Sequence, residues 1–366
     1  MKLFKSLLVA PAALGLLAPM AATANEVTIG DFAPAEELAI TNSRVDGLEA
    51  RLNNFEAGSF SETTAASFSA DFAIGAVDGT AGEEAVTTGY SFQIDLSTSF
   101  TGEDSFDVSL DAGNADDGTL DELDLNDLGD GLVVDGISYT FPLGDKMTVF
   151  VGDSVDGSLL YSTACVYGGV TDTLDDCGNA SSAMDGGAGT AAGASFDVGN
   201  GFTAAVGYTG DGTTEGLATK EGLDVFGGQL TYTGDSYGAS VTYALVETST
   251  TAETTYWGLN GYWTPEETGT AVPSISVGYE MGDPSATTTD TEQWFVGLQW
   301  DEIGPGTLGA AVGTNGAINE GATDYYAYEA FYSYPVNDSM TVTPLIFVKE
   351  AATDSTGIMV KTSFSF

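Results

Sequence analysis

STGIMVKTSFSF, Ser355 to Phe366, closes the chain, and its reading decides the fold. Ile358, Val360, Thr362, Phe364 and Phe366 share one parity, and Met359, Lys361, Ser363 and Ser365 share the other. The side chains of a strand alternate between its two faces, so a strand with lipid on one side and water on the other carries this pattern. A closed barrel is the only β structure that crosses a bilayer, because an open edge leaves backbone groups unpaired in hydrocarbon. The segment is therefore expected to be the last strand of a transmembrane barrel, with Phe364 and Phe366 forming the terminal signal that barrel-assembly machinery reads.

Moving back along the chain, sixteen segments alternate in this way from Ser59 onward. Taking the more apolar parity as the outward face, they include Ala66 to Ala76 (Phe68, Phe72, Ile74), Tyr90 to Phe100 (Phe92, Ile94, Leu96) and Ile137 to Leu143 (Tyr139, Phe141). Further segments are Leu223 to Thr233, Trp257 to Trp263 (Leu259), Pro273 to Met281 (Ile275, Val277, Tyr279) and Trp294 to Trp300 (Val296, Leu298). Connections after even segments are short turns, such as Gly144 to Lys146 and Gly199 to Gly201. Those after odd segments are generally longer and polar, such as Gly113 to Gly136 and Gly152 to Ala191. Short periplasmic turns, long outer loops and an even strand count characterise outer-membrane barrels. Trp257 and Trp263, like Trp294 and Trp300, share a face at a spacing that spans about 15 Å of membrane after strand tilt, as residues of two aromatic girdles would. A bulge that slips the parity is expected near Gly227 and Gly228.

The first residues carry Lys2 and Lys5, an apolar run from Leu7 to Ala18 and Ala22-Thr23-Ala24, which reads as a signal peptide over 1–24. No later stretch has the roughly 18 uninterrupted apolar residues of a spanning helix. Residues 25–57 are expected to be a periplasmic linker and a coiled-coil-like helix, since Leu38, Val45 and Leu52 recur by seven with Leu48 and Phe55 between them. An amphipathic helix folded against its own domain is the alternative. The barrel then occupies 58–366. Eight Lys and Arg oppose 54 Asp and Glu, a net charge of -46, which excludes nucleic acid as a partner. The absence of His removes the commonest general base and metal ligand, and no recognisable motif supplies a nucleophile, base and orienting residue, so an enzyme is not expected. Cys165 and Cys177 lie in an exported chain, where a disulfide is the default.

Two stretches, Ser97 to Asn114 (STSFTGEDSFDVSLDAGN) and Tyr139 to Val151 (YTFPLGDKMTVFV), resemble the barrel of cyanobacterial outer-membrane porins, relatives of the carbohydrate-selective, OprB-type porin family. Ser43 to Thr64 (SRVDGLEARLNNFEAGSFSETT) is similar to the coiled-coil linker leading into that barrel. The resemblance implies a homotrimer of sixteen-stranded barrels in outer-membrane lipid, passing small hydrophilic solutes and inorganic ions. Such porins carry a surface-layer-homology domain before the coiled coil. Only Asn25 to about Ala35 stands in its place here, so peptidoglycan contact is not expected and the helix is left with trimerising or spacing.

The resemblance also places the filter in the third outer loop, about 152–191, where Cys165 and Cys177 bracket Asp172, Asp175 and Asp176. The alternative is an external surface loop. Strand parity turns Asp71, Asp95, Asp107, Asp197, Glu280 and Glu329 inward, against Lys146 and Lys361, so a negative lumen preferring cations is expected. The dense acids of Gly113 to Gly136 are read as a solvated outer loop, with loosely bound Ca²⁺ or Mg²⁺ as the alternative; no dedicated metal site or cofactor is expected. Two other readings compete with passive diffusion. One is a structural barrel with a plugged lumen linking envelope layers, and the other is a secreted acidic soluble β-protein.

Overall fold

The computed structural model describes residues 64–366 apart from 80–84, 115–118, 124, 127–128, 176, 179–186, 213–215 and 270. The signal peptide and the helix carrying Leu38, Val45, Leu48, Leu52 and Phe55 lie outside the described residues. The first half comprises β1 (Thr64–Asp78), β2 (Thr87–Thr98), β3 (Ser105–Gly113), β4 (Val133–Pro142), β5 (Met147–Val155), β6 (Gly189–Gly199), β7 (Phe202–Gly210) and β8 (Asp224–Thr233). The second comprises β9 (Tyr237–Ser249), β10 (Ala252–Trp263), β11 (Ser274–Pro284), β12 (Thr291–Ile303), β13 (Gly306–Thr314), β14 (Ile318–Asn319), β15 (Tyr326–Asn337), β16 (Met340–Lys349) and β17 (Ser355–Ser365).

Successive strands pair antiparallel, and β1 pairs with β17 from Ser69↔Ser365 to Asp78↔Thr356, so the sheet closes on itself. Seventeen strands enter it. β14 has two residues and caps the end of β12, while β13 pairs directly with β15, which leaves sixteen strands around the lumen. Every segment read from the sequence is present as a strand. The expected bulge at Gly227 and Gly228 is not: Gly228 pairs with Val206 and Tyr243, and Gly227 with Gly207 and Ala244, without a shift. Register shifts fall instead between Ser109 and Leu110 and between Gly152 and Val155, among other places.

Alternation sorts the side chains as the barrel requires. Phe72 is 53 % exposed and Ile358 64 %, while Met359, the inward-facing residue after Ile358, is fully buried. Outward apolar residues recur around the barrel (Val151, Val206, Leu230, Leu259, Val277, Ile346), a continuous face that would drive aggregation in water and suits hydrocarbon. Aromatic contacts form two rows. Phe68–Phe366, Phe100–Phe106, Tyr139–Phe141 and Phe202–Tyr232–Tyr237 lie toward the short turns, and Tyr208–Phe226, Tyr243–Trp257 and Trp294–Tyr326 toward the long loops. This outer surface argues against a soluble secreted protein.

The turn joining β2 to β3 is organised by one carboxylate. Asp104 accepts hydrogen bonds from the Phe100 and Thr101 N–H groups, the Ser99 and Thr101 hydroxyls and the Tyr139 phenol at 2.7–2.9 Å. Desolvation alone would raise its pKa; the hydrogen bonds outweigh that and hold the carboxyl well below the ordinary range. A depressed pKa in the folded state contributes stability above the unfolded value of about 3.9 and loses it as pH falls below that. Asp104→Asn is therefore expected to lower stability at pH 7 and to flatten its decline below pH about 4, read from urea unfolding of the detergent-folded barrel at several pH values. An unchanged pH profile would remove Asp104 from this role.

Candidate functional site

Residues 156–188 join β5 to β6, and their described part runs along the inside of the barrel. The backbone is laid against inward-facing polar side chains of successive strands. Gly157 N–H donates to Thr209 Oγ1 on β7 (2.6 Å), and Ser162 N–H to Gln229 Oε1 on β8 (2.7 Å). Val166 and Tyr167 N–H groups donate to Ser276 Oγ on β11 (3.0 and 3.2 Å), and Gly168 N–H to Gln299 Oε1 on β12 (2.9 Å). A loop lacking a ladder of its own must satisfy its backbone in this manner wherever it leaves water.

The deepest anchor is Glu329 on β15, 4 % exposed. Its carboxylate accepts from the Tyr167 phenol at 2.6 Å, from Thr171 Oγ1 at 2.8 Å and from Thr171 N–H at 3.0 Å. Burial, followed by the Glu329 charge, pushes the Tyr167 phenol far above its ordinary pKa and keeps it a donor. Tyr167 also packs on Phe295 and Phe331. The returning limb is held by Asn260 Nδ2 donating to the Cys177 carbonyl at 3.0 Å, and a disulfide joins Cys165 to Cys177 across 12 residues. Closing a loop of that length is worth about 3 kcal/mol in the chain-entropy model. Small wall residues make the seat: a Cβ on Gly278 would lie 1.7 Å from the Cys177 carbonyl oxygen, and one on Gly207 2.0 Å from that of Gly157.

The loop between β3 and β4 turns inward as well, which corrects its reading as a wholly solvated acidic loop. Leu120, Leu123 and Leu125 are buried in one cluster with Leu174 and Tyr167 of the longer loop and with Ala73, Phe347 and Met359 of the wall. Its one-turn helix Asp121–Leu123 carries Glu122, 6 % exposed, which pairs with Lys349 on β16 and accepts from the Thr173 hydroxyl at 2.9 Å. Leucine burial outweighs the acid density of this stretch because each Leu side chain contributes about 2 kcal/mol, while among the described acids Asp121 and Asp130 stay exposed and Glu122 finds donors.

The acids expected to face the lumen separate into three groups. Asp71, Asp95 and Asp107 lie on the adjacent strands β1, β2 and β3, partly accessible. Asp95 and Asp107 are diagonal neighbours, whereas Asp71 is opposite Ser91, four residues along β2 from Asp95. Ser109 and Gln93 donate to Asp95 and Ser105 to Asp107. Lys361 sits one diagonal step from Asp71 on β17. Glu280 and Glu329 are buried. Asp197 and Lys146 lie exposed at the turn end, where Asp197 N–H donates to the Lys146 carbonyl. Asp172 and Asp175 are exposed on a single helical turn, and Asp176 is outside the described residues. A polar cavity of about 620 Å³ lies between the start of the long loop and β3 to β5, lined by Asp107, Ser109, Asp135, Ser138, Asp156 and Ser158 among others. No basic residue borders it. Among the described residues no group of three or more His, Cys, Asp or Glu is placed to hold a metal ion. Gln229, Asn260, Ser276 and Gln299 escaped the sequence reading, because inward parity marks a polar residue as lumen-facing without telling whether it meets water or a loop.

Comparison with protein-family models and with curated proteins finds no match to the sequence. Solved structures do share the fold. OprB from Pseudomonas putida superposes with a TM-score of 0.63 at 10% identity, over 83% of this chain and 94% of its own. An anion-selective porin from Comamonas acidovorans gives 0.60 at 13% identity, over 83% and 99%. A triple mutant of the Rhodopseudomonas blastica porin gives 0.55 at 16% identity, over 83% and 100%. At these identities the likeness is one of architecture: the chain folds as a porin-type barrel, the fold that its resemblance to OprB-type porins implied.

Proposed function

We propose that the protein is an outer-membrane porin through which small hydrophilic solutes and ions diffuse passively, with a preference for cations. The observation that carries this reading is the polar cavity beside β3 to β5, where carboxylates and hydroxyls line the lumen and no basic side chain answers them. A water-filled passage under a negative potential admits cations and retards anions without any binding step. The Comamonas porin of the same fold is anion-selective, so the fold leaves the sign of the charge to the lining. The reading extends to a homotrimer in outer-membrane lipid with the short turns and the N-terminus on the periplasmic side. Phe366, paired with Phe68 across the closing seam, is then the end recognised during assembly. Divalent cations bound loosely by the acidic loops are compatible with it but not required.

A plugged structural barrel is the second reading, favoured by the two loops that bury leucines and aromatics inside the lumen. Reversal potentials of the refolded protein in a planar bilayer under a KCl gradient separate the two. Cation-selective steps are expected, and Asp107→Asn, Asp135→Asn and Asp156→Asn together should lower the cation-to-anion permeability ratio by about three-fold or more. A folded barrel without conductance would establish the plugged reading instead.

A further inference from the structure

The two inward loops meet at Glu122. Its carboxylate, nearly withdrawn from water, accepts from Thr173 of the longer loop and pairs with Lys349 of the wall. On either side of it Leu120, Leu123 and Leu125 fill the cluster that contains Leu174. Thr173 and Leu174 belong to the helical turn Asp172–Asp175, so one acid fixes the position of both loops. The chain has only eight Lys and Arg for 54 acids, yet it places Lys349 on the inner wall, where a withdrawn carboxylate needs a counter-charge. Removing one partner of a withdrawn pair leaves the other charge uncompensated, which costs far more than the pair itself contributes. A swing of the shorter loop that returned Glu122 to water, with its leucines, would relieve that cost.

We propose that Glu122 and Lys349 are positioning residues that lock the second and third loops together inside the lumen and thereby set its bore. The proposal rests on the porin reading for its consequence in transport, but the lock can be observed apart from transport. With Lys349→Met, Glu122 leaves the lumen, Thr173 loses its acceptor, and the space held by Leu120, Leu123 and Leu125 opens to water. Single-channel conductance is expected to rise about two-fold or more, and larger neutral polymers should enter the pore. The exchange Glu122→Lys with Lys349→Glu restores opposite charges at the same places and should return conductance to the parent value, a recovery that a loss of general fold would not allow.

A second measurement uses the intact barrel and no current. Leu123→Cys introduces a thiol that is shielded in the locked state, and its reaction with a maleimide-polyethylene glycol in detergent reports the loop directly. Labelling is expected to be slow in the otherwise unaltered protein and at least ten-fold faster when Lys349→Met is added. Faster labelling without any conductance would uphold the lock and remove the porin reading. Equal labelling in both backgrounds, or conductance unchanged by Lys349→Met in a conducting barrel, would overturn the lock. If Lys349→Met does not fold, Glu122→Gln in the Leu123→Cys background takes its place, with the same two outcomes.

Discussion

Glu329→Ala is expected to detach the third loop from the wall while leaving the barrel assembled. Glu329 is a single acceptor for four donors, the Tyr167 phenol, the Thr171 hydroxyl and the N–H groups of Val170 and Thr171, and Glu329, Tyr167 and Thr171 are buried. Each donor stranded without a partner costs about 1–3 kcal/mol. Even a combined loss of roughly 3 kcal/mol changes the ratio of docked to free loop about 100-fold. The sixteen-stranded ladder does not depend on this carboxylate, since β15 pairs with β13 and β16 through its backbone. The variant should keep heat-modifiable migration in gels, gain protease cleavage within 156–188 and show larger, noisier conductance. Glu329→Gln retains an oxygen acceptor without the charge and should fall between the two. Wild-type cleavage and conductance in Glu329→Ala would mean that the disulfide and the other wall contacts suffice.

Gly278→Val attacks the same loop from its other limb. The position has no room for a Cβ, whose nearest neighbour would be the Cys177 carbonyl oxygen at 1.7 Å. Flexible side chains can yield to such a contact, but two backbones cannot. The β11 backbone is bonded to β10 on one side and β12 on the other, so the loop is the partner that must move. Lifting it breaks the Asn260 bond to Cys177 and draws Gly178 away from Phe295. Overpacking of this kind costs about 1–3 kcal/mol, concentrated here on the docking of one loop. Gly228→Val supplies the control, because the nearest atom to its Cβ is 3.6 Å away and its parity faces the apolar exterior. Accelerated proteolysis of the loop in Gly278→Val, with Gly228→Val unchanged, is the expected pattern; equal behaviour of the two would show that the seat tolerates a side chain.

The strands were legible because each one separates two solvents, and a period of two records that separation residue by residue. β14 left no such record, since two residues, Ile318 and Asn319, cannot display a period. Gly227 and Gly228 were misread for a related reason: without side chains they interrupt the pattern, although the backbone runs through them in register. The inner surface was less legible. Parity correctly distinguishes Glu329 from Tyr328, but it cannot say that a loop covers Glu329 while Asp107 stays partly open to water. In the second loop the acids of NADDGTLDELDLNDLGDG obscured Leu120, Leu123 and Leu125, whose presence in so polar a stretch was the available sign that part of it is buried.

Closure between β1 and β17 has a consequence for the order in which the chain can fold. The partner of the first strand is the last to be made, so the β1 edge carries unpaired backbone donors and acceptors until Ser355–Ser365 arrives. Local hairpins can form as soon as their strands exist, but the seam has nearly the greatest sequence separation the barrel allows, and the entropy of bringing its two sides together falls on the final step. A polypeptide stopped anywhere before Ser355 has two bare edges rather than none, and a bare edge recruits other chains. An incomplete sheet thus carries edges that the closed barrel lacks, which gives the cell reason to keep the polypeptide from pairing with other chains until β17 is available.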